Sequence, residues 1–248
     1  MISSAVRLSV VVPAYNEEDR LPASLVELRR HLEGLAGGYE LLVVDDGSVD
    51  GTAGLVTAAA VGWPELRLLR LPTNQGKGAA VREGMLRAVG RRRLFTDADL
   101  STPITELSQL EAELERGAGI AIGSRAVPGS RVEVHQPAHR ELMGKTYNRL
   151  LRLAALPGLH DTQCGFKLFT ADAALTCFSE LDCRGFGFDA EVLLRARVRG
   201  IRVAEVGVRW RNSEGTRVSS LRDGGRMLLE LRRLRSCRKR LAAVPSHP

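Results

Sequence analysis

The sequence predicts an α/β protein organised around a parallel β-sheet, and three observations support this fold class. Short apolar segments rich in β-branched residues alternate with segments of helical periodicity through the first half of the chain. The segment 40–45 is apolar almost without interruption, which is typical of a strand buried on both faces. Clusters of polar residues follow three of the strands, at 13–17, 45–48 and 97–99, where open α/β sheets bind their ligands.

Hydrophobic periodicity assigns the elements in order along the chain. We expect strands over 7–12, 40–45, 66–71, 93–96, 119–123, 166–169 and 201–208. We expect a helix beginning at Leu21, with Pro22 suited to its first turn, and further helices over 52–60, 78–89, 105–116, 140–155 and 189–199. Loops are predicted over 126–137 and 212–220. Without internal repeats or linkers, the chain is expected to form one domain over 1–218, followed by a basic helix and tail over 219–248.

Composition indicates a globular protein of a reducing compartment. The 248 residues are 44% hydrophobic and 26% charged, which is ordinary for a folded domain. The four cysteines are too few for a disulfide scaffold and match no zinc-ligand spacing, so we expect free thiols. No apolar run is long enough to span a membrane, and the run 8–12 is too short for a signal peptide. We therefore expect a cytoplasmic protein.

The positive charge of the chain is concentrated near its C-terminus. The net charge is +7, and the window 222–241 contributes +6 of it through eight Arg or Lys and two acids. Leucines recur there at helical spacing, which is typical of a helix that binds a membrane surface but also fits a helix packed on the body. Nucleic-acid binding is not expected, because aromatic residues make up only 4% and no binding motif occurs.

The triplet Asp97-Ala98-Asp99 carries the strongest chemical signal. Two carboxylates one residue apart at a strand end cannot both lie on a buried face, so at least one faces water, a cation or a ligand. Mg²⁺ and Mn²⁺ are commonly held by one or two carboxylates together with substrate phosphates. We therefore predict a divalent metal ion here that holds a nucleotide diphosphate. The alternative for so short a motif is a solvated turn with two incidental acids.

Two further clusters allow both a functional and a structural interpretation. Asp45-Asp46-Gly47-Ser48 follows the second predicted strand, and one of its carboxylates would accept a hydrogen bond from a nucleotide base. The same residues are also typical of a turn. Gly76-Lys77-Gly78 resembles part of a phosphate-binding loop, but it lacks the full pattern, and a glycine-rich entry to a helix is the favoured interpretation.

Six motifs, in order, carry a family resemblance. They are VVPAYNEE (11–18), VVDDGSVDGT (43–52), NQGKGAAVREGM (74–85), TDADLS (96–101), GSR (123–125) and DTQCGFKLF (161–169). Together they resemble glycosyltransferase family 2, and within it the polyprenyl-phosphate sugar transferases, which include dolichyl-phosphate glucosyl- and mannosyltransferases. The resemblance implies a GT-A fold: a Rossmann-like single domain whose mixed, mostly parallel sheet is flanked by helices, with the nucleotide at the strand ends.

The resemblance also implies roles for individual residues. The metal ion, Mg²⁺ or Mn²⁺, would be held by Asp97 and Asp99, with Ser101 at a position where mannose synthases usually have a glutamine ligand. The nucleotide sugar would contact Pro13, Tyr15, Glu17, Val43, Asp45, Asp97, Ala98, Asp99, Arg125, Arg211 and Arg217. The acceptor would contact Arg140, Lys145, Asp161, Gln163 and Lys167.

The implied reaction is the inverting transfer of a hexose from a nucleotide diphosphate to a polyprenyl phosphate at the cytoplasmic face of a membrane. UDP-glucose is favoured over GDP-mannose as the sugar source. Catalysis is assigned to Asp99, Arg125, Arg140 and Asp189; the last would orient sugar hydroxyls, or would only be an acid favoured at a helix start. The alternative is a soluble family member that acts on a protein, a glycan or a small molecule.

Overall fold

The computed structural model describes residues 6–134, 138–154, 156–185, 187–212, 233–234 and 236–237, without the side chains of 138–141, 145, 147 and 154. The described strands are β1 (Leu8–Ala14), β2 (Tyr39–Asp45), β3 (Leu66–Arg70), β4 (Arg92–Thr96), β5 (Ile120–Ser124), β6 (Arg131–Val134), β7 (Phe166–Thr170), β8 (Val203–Gly207) and β9 (Arg209–Arg211). The described α-helices are α1 (Leu21–Leu32), α2 (Thr52–Ala60), α3 (Lys77–Arg87), α4 (Leu107–Glu115), α5 (Ala138–Ala154), α6 (Ala171–Phe178) and α7 (Phe188–Val198).

Seven strands form one sheet in the order β3-β2-β1-β4-β7-β5-β8. Strand β7 is antiparallel to both of its neighbours, and the other neighbouring pairs are parallel. The sheet is therefore mixed and mostly parallel, as the sequence resemblance implies. Because Phe166 pairs with Thr96, the residues that precede β7 lie at the same edge as those that follow β4. This carboxyl edge of the parallel strands is where the candidate site forms.

Helices cover both faces of the sheet, because successive residues of the central strands point to opposite sides. Val10 and Val12 belong to one buried cluster with the apolar residues of α1, α2 and α4. Val11, between them, belongs to a second cluster with α3, α6 and α7. Every residue of β1 is buried, as is typical of the centre of a sheet covered on both faces.

The predicted strands are present, as are the predicted helices that precede residue 200, with ends that differ by a few residues. Three elements correct the sequence analysis. Helix α6 was not predicted; its start is capped by Thr170, whose hydroxyl oxygen accepts from the backbone N–H of Ala173 at 3.2 Å. The segment 126–137 is not wholly a loop, because β6 pairs with β9 in a second, two-stranded parallel sheet. These short strands are joined by long-range pairing, which local periodicity does not reveal.

The basic C-terminal segment falls mostly outside the described residues. Four of its residues, at 233–234 and 236–237, are helical. Leu234 and Cys237 among them are buried against the cluster that includes α6 and α7. Among the helices that the structure describes, none combines the length and apolar character needed to cross a membrane.

Helix α3 lies close to the sheet at Gly84. A Cβ atom there would lie 2.3 Å from Val11 Cγ1 and 2.9 Å from Val44 Cγ2, in the buried core. We expect Gly84→Ala to lower the free energy of unfolding by about 1–3 kcal/mol, because overpacking outweighs the better helix propensity of alanine.

The matched control is Gly54→Ala in α2, where a Cβ atom would meet nothing within 4 Å. It should stabilise the protein by up to about 1 kcal/mol. Urea unfolding of both variants measures the difference, and a stabilised Gly84→Ala protein would contradict the close packing of α3 on the sheet.

Candidate active site

The loops that follow β1 and β2 are hydrogen-bonded to each other at the carboxyl edge. The backbone N–H of Asn16 donates to Ser48 Oγ, and Asn16 Oδ1 accepts from the N–H of Val49, both at 2.9 Å. The N–H of Asp46 donates to the carbonyl oxygen of Ala14 at 2.8 Å. Two of the three polar clusters, those that follow β1 and β2, are therefore directly connected.

Asp45 ends β2 as a fully buried carboxylate. Its Oδ1 accepts from the N–H of Ser48 at 3.0 Å, whereas its buried Oδ2 accepts no hydrogen bond. Arg70 Nε lies 3.2 Å from Oδ2 and supplies charge rather than a well-aligned hydrogen bond. An acceptor oxygen in this state is suited to a further N–H group, such as that of a nucleotide base.

Asp46 holds the entry to α3. Its two carboxylate oxygens accept from the backbone N–H groups of Gln75 and Gly76, each at 2.8 Å. Burial raises the pKa of Asp46, these two hydrogen bonds lower it, and the charge of Asp45 raises it further, so that the net shift is upward. Gly76 has a φ of 100°, and a Cβ atom there would lie 2.5 Å from the carbonyl oxygen of Arg184. The position therefore requires glycine.

Lys77, the first residue of α3, reaches the acidic triplet. Its Nζ lies 2.6 Å from Asp97 Oδ1 and 5.4 Å from the centroid of the Phe95 ring. Burial lowers the pKa of Lys77, but the charges of Asp97, Asp189 and Asp99 and the hydrogen bond to Asp97 together raise it by more, so the ammonium is charged at neutral pH. The sequence offers Lys77 only as part of an incomplete phosphate-binding loop or of a glycine-rich helix entry, because its partner Asp97 is 20 residues away in the chain.

Gly165 makes room for the Asp97 carboxylate. A Cβ atom at this position would lie 1.9 Å from Asp97 Oδ2, and the carbonyl oxygen of Gly165 accepts from the N–H of Asp97 at 3.1 Å. The residue just before β7 therefore fixes both the backbone and the side chain of Asp97. No local sequence pattern marks Gly165 for this role.

Asp99 follows in a tight turn after β4. The N–H of Ser101 donates to Asp99 Oδ1 at 3.0 Å, which engages one of the two carboxylate oxygens. The carbonyl oxygen of Ser101 accepts from the N–H of Arg211 at 2.9 Å, which connects this turn to β9. The guanidinium of Arg211 extends towards Glu27, with 3.7 Å between Nη2 and Oε2.

Lys167 and Asp189 form a buried ion pair behind the triplet. Lys167 is 1% exposed; its ammonium donates to the Asp189 carboxylate and, at 2.6 Å, to the carbonyl oxygen of Cys164. Burial raises the pKa of Asp189, and the charges of Lys167 and Lys77 oppose that rise. Both residues are predicted site residues, and the structure turns them towards each other.

Arg125 and Asp161 form a second ion pair at this edge. Arg125 Nε and Nη2 donate to the two oxygens of Asp161 at 2.6 and 2.9 Å, and the guanidinium lies 5.2 Å from the centroid of the Trp210 ring. Burial alone would raise the pKa of Asp161, but the charge and hydrogen bonds of Arg125 lower it to about 2. This bidentate geometry fixes the planar guanidinium.

The segment that carries Asp161 is held from both sides. Glu205 of β8 accepts from the backbone N–H groups of His160 and Asp161 at 2.8 and 2.7 Å. Asn148 of α5 accepts from the hydroxyl of Thr162 at 2.9 Å. The N–H of Gln163 donates to Asp161 Oδ1 at 3.2 Å. Helix α5 therefore reaches the site through Asn148.

The remaining predicted site residues are distributed around this centre. Tyr15 is 37% exposed, and Glu17 pairs with Arg20, with 2.6 Å between Oε1 and Nη2. Three further residues are buried along the strands and the triplet: Pro13, Val43 and Ala98. Arg140 and Lys145 lie in α5, with side chains beyond the description, and Arg217 is outside the described residues.

The donor set around Asp97 and Asp99 fits a hard divalent cation. A cationic group, the ammonium of Lys77, is already held by Asp97, and Asp99 has one carboxylate oxygen that the turn does not engage. Nowhere in the described parts of the chain do three His, Cys, Asp or Glu side chains gather as a group that could hold a metal ion. Two carboxylates that act together with phosphate oxygens are a known arrangement for Mg²⁺ and Mn²⁺.

Comparison with solved structures defines the class of fold. Glucosyl-3-phosphoglycerate synthase from Mycobacterium tuberculosis, in complex with Mn²⁺, uridine diphosphate and phosphoglyceric acid, matches 97% of this chain and 80% of its own, with a TM-score of 0.69 and 21% identity. Mannosyl-3-phosphoglycerate synthase from Rubrobacter xylanophilus matches 98% of this chain and 79% of its own, with a TM-score of 0.65 and 20% identity. The fold is that of the GT-A glycosyltransferases.

Comparison with sequences narrows the class to a family. The family model described as glycosyl transferase family 2 matches residues 9–178. A dolichyl-phosphate β-glucosyltransferase of Drosophila melanogaster is 40% identical over 230 residues, which are 88% of this chain and 71% of the relative. The human enzyme of that name is 37% identical over 225 residues, 86% of this chain and 69% of the relative. The chain belongs to glycosyltransferase family 2, as its motifs predict.

Asp161→Asn should lower the free energy of unfolding at pH 7 by about 2 kcal/mol, because it removes a buried carboxylate of depressed pKa and leaves the half-buried Arg125 without this partner. Since the folded pKa lies below the unfolded value, this stabilisation is complete above about pH 5 and is lost as the pH falls through the folded pKa of about 2. Urea unfolding should therefore show a smaller difference between wild type and variant at pH 3 than at pH 7.

Glu115→Gln is the control, because Glu115 is an exposed partner of Arg92. It should change stability little at either pH. Equal effects of Asp161→Asn at the two pH values would contradict the role of this ion pair.

Proposed function

We propose that the protein transfers glucose from UDP-glucose to a polyprenyl phosphate, with inversion at the anomeric carbon and with a divalent metal ion at Asp97 and Asp99. The observation that carries this proposal is the acidic triplet beside Lys77, at a sheet edge that the Arg125–Asp161 pair also borders. The relatives named dolichyl-phosphate β-glucosyltransferase support the sugar and the acceptor class.

The nucleotide sugar would lie along the ends of β1, β2 and β4. Asp45 would accept from the base through its buried Oδ2, and Pro13, Tyr15, Glu17 and Val43 would border the nucleoside. The metal ion, Mg²⁺ or Mn²⁺, would neutralise the diphosphate and stabilise it as a leaving group. Arg125, Arg211 and Arg217 would add positive charge for the same diphosphate.

The acceptor would enter from the side of α5. A phosphate acceptor is already anionic near neutral pH, so the site does not need a strong general base; it needs to position two anions. A phosphate oxygen would attack the anomeric carbon as the bond to the diphosphate oxygen breaks on the opposite face. Arg140 and Lys145 would bind the acceptor phosphate, and the segment with Asp161 and Gln163, anchored to Asn148, would border it.

The buried Lys167–Asp189 pair would help to bind the sugar. Lys167 is enclosed, so its ammonium would hold Asp189 in position rather than meet the acceptor directly. Asp189 would then accept hydrogen bonds from sugar hydroxyls.

The basic C-terminal segment would bring the protein to the cytoplasmic face of a membrane that holds the acceptor. Each Lys or Arg near an anionic leaflet contributes about 1 kcal/mol of binding, and the window 222–241 has a net charge of +6. Co-sedimentation with anionic vesicles at low salt tests this part of the proposal, and a protein that stays in the supernatant would refute it.

A panel of sugar nucleotides tests the reaction. UDP-glucose with Mn²⁺ should raise the melting temperature more than GDP-mannose does and should support transfer to polyprenyl phosphate.

Asp99→Asn should lower the transfer rate by about 10²–10³-fold, because charge on the leaving diphosphate loses its stabilisation. Asp172→Asn, at an exposed acid in the first turn of α6, is the control and should keep wild-type activity.

Near wild-type turnover by Asp99→Asn would contradict the metal site. Stronger stabilisation by GDP-mannose would overturn the choice of nucleotide and sugar.

Arg140→Ala should raise KM for polyprenyl phosphate by about tenfold or more and leave KM for UDP-glucose nearly unchanged, because a charge-assisted hydrogen bond contributes about 1.5–3 kcal/mol. Steady-state kinetics with each substrate varied in turn measure the two effects. Arg149→Ala, at an exposed position of the same helix, is the matched control.

Equal losses for both substrates would contradict an acceptor role for Arg140. Transfer to a soluble acceptor in the absence of polyprenyl phosphate would favour the alternative of a soluble family 2 enzyme.

A further inference from the structure

Asp97 pairs with the ammonium of Lys77, and the proposed function requires the same carboxylate to bind a metal ion. Asp97 Oδ1 lies 2.6 Å from Lys77 Nζ. The Asp97 side chain is 31% exposed and that of Lys77 is 24% exposed, so water screens the pair only partly. A metal ion that approached Asp97 would meet the repulsion of a fixed ammonium and would have to displace it.

The surroundings of Lys77 limit where a displaced ammonium would go. Lys77 begins α3, whose entry is fixed by Asp46, and its Nζ lies near the Phe95 ring. The charges of Asp189 and Asp99 also act on Lys77, but Asp189 has its own hydrogen bond to Lys167, and the proposed function assigns Asp99 to the metal ion. An anion bound at the metal would therefore be the partner that best replaces Asp97.

We propose that Lys77 is a resident counter-cation of Asp97, which the metal ion replaces and which then binds the diphosphate of the nucleotide sugar. This inference rests on the proposed function, because it takes Asp97 as a metal ligand. In the protein without ligands, Lys77 keeps Asp97 neutralised and positioned. When metal and nucleotide bind, the ammonium exchanges a carboxylate for a phosphate.

The exchange makes metal and nucleotide binding cooperative. Metal alone must separate Lys77 from Asp97 and gives the ammonium no new anion, so it should bind weakly. Nucleotide supplies that anion and should therefore strengthen metal binding. The coupling is reciprocal, so metal should strengthen nucleotide binding by the same factor.

Lys77→Met distinguishes the counter-cation role from two others, in which Lys77 contacts only the diphosphate or only orders Asp97. Titration of Mn²⁺, followed by the electron paramagnetic resonance signal of the free ion, gives its affinity with and without UDP. Without UDP, the variant should bind Mn²⁺ about tenfold more tightly than wild type, since no ammonium competes for Asp97. The factor by which UDP strengthens Mn²⁺ binding should fall by about tenfold in the variant, which is within the usual range of coupling between sites.

Arg87→Met is the matched control, because it removes one positive charge from the same helix. Arg87 is 54% exposed and pairs with Glu83, at 2.8 Å between Nη1 and Oε2. Its Mn²⁺ affinity should equal that of wild type in both conditions. Thermal unfolding of both variants verifies that the fold is intact.

The possible results separate this inference from the function on which it rests. If wild type binds Mn²⁺ in the presence of UDP but Lys77→Met shows unchanged or weaker binding without UDP, the counter-cation role is overturned and the proposed function stands. An unchanged affinity would mean that Lys77 contacts only the diphosphate, and a weaker one that it only orders Asp97. If wild type binds no Mn²⁺ even with UDP, the metal site and this inference both fail.

Discussion

Charge compensation at the carboxyl edge of the sheet is the constraint on which the rest of the site depends. Carboxylates that gather in a partly desolvated crevice repel one another unless each has its own partner. Here the partners come from distant parts of the chain: Lys77 for Asp97, Arg125 for Asp161, and Lys167 for Asp189. These pairs offset the charge of three carboxylates, which would favour the binding of the anionic diphosphate in the proposed function.

The sequence predicts most of the fold because the sheet is built from locally readable strands. Strands such as β2 contain a continuous apolar run, here 41–44, and a parallel sheet places the residues that follow such strands at one edge. The short strands β6 and β9 escape prediction, since their pairing joins residues about 78 positions apart and three or four residues carry too little periodicity. The unpredicted helix α6 begins at a threonine cap that only the end of β7 makes available.

The sequence predicts which residue types form the site, but it does not predict which of them contact one another. The triplet after β4 is visible in the sequence, because two carboxylates at a strand end need a reason to be there. The partner of Asp97 is not visible, since Lys77 is brought to it by the packing of α3 and by the hydrogen bonds of Asp46. Gly165 is missed for a related reason: the need for a residue without a side chain arises only when β7 inserts next to β4.

The segment 160–165 is fixed at one end by Glu205 and ends at Gly165, under the carboxylate of Asp97. The segment has the length of a surface loop. However, it supplies Asp161, the partner of Arg125, and it also packs against the carboxylate of Asp97. Under the proposed function, replacing this segment to accept a different acceptor would also disturb Asp97, which is assigned to the metal ion and the nucleotide sugar. Substitutions in α5, which contacts this segment through Asn148, would leave Gly165 in place and are therefore the better route to a changed acceptor under the proposed function.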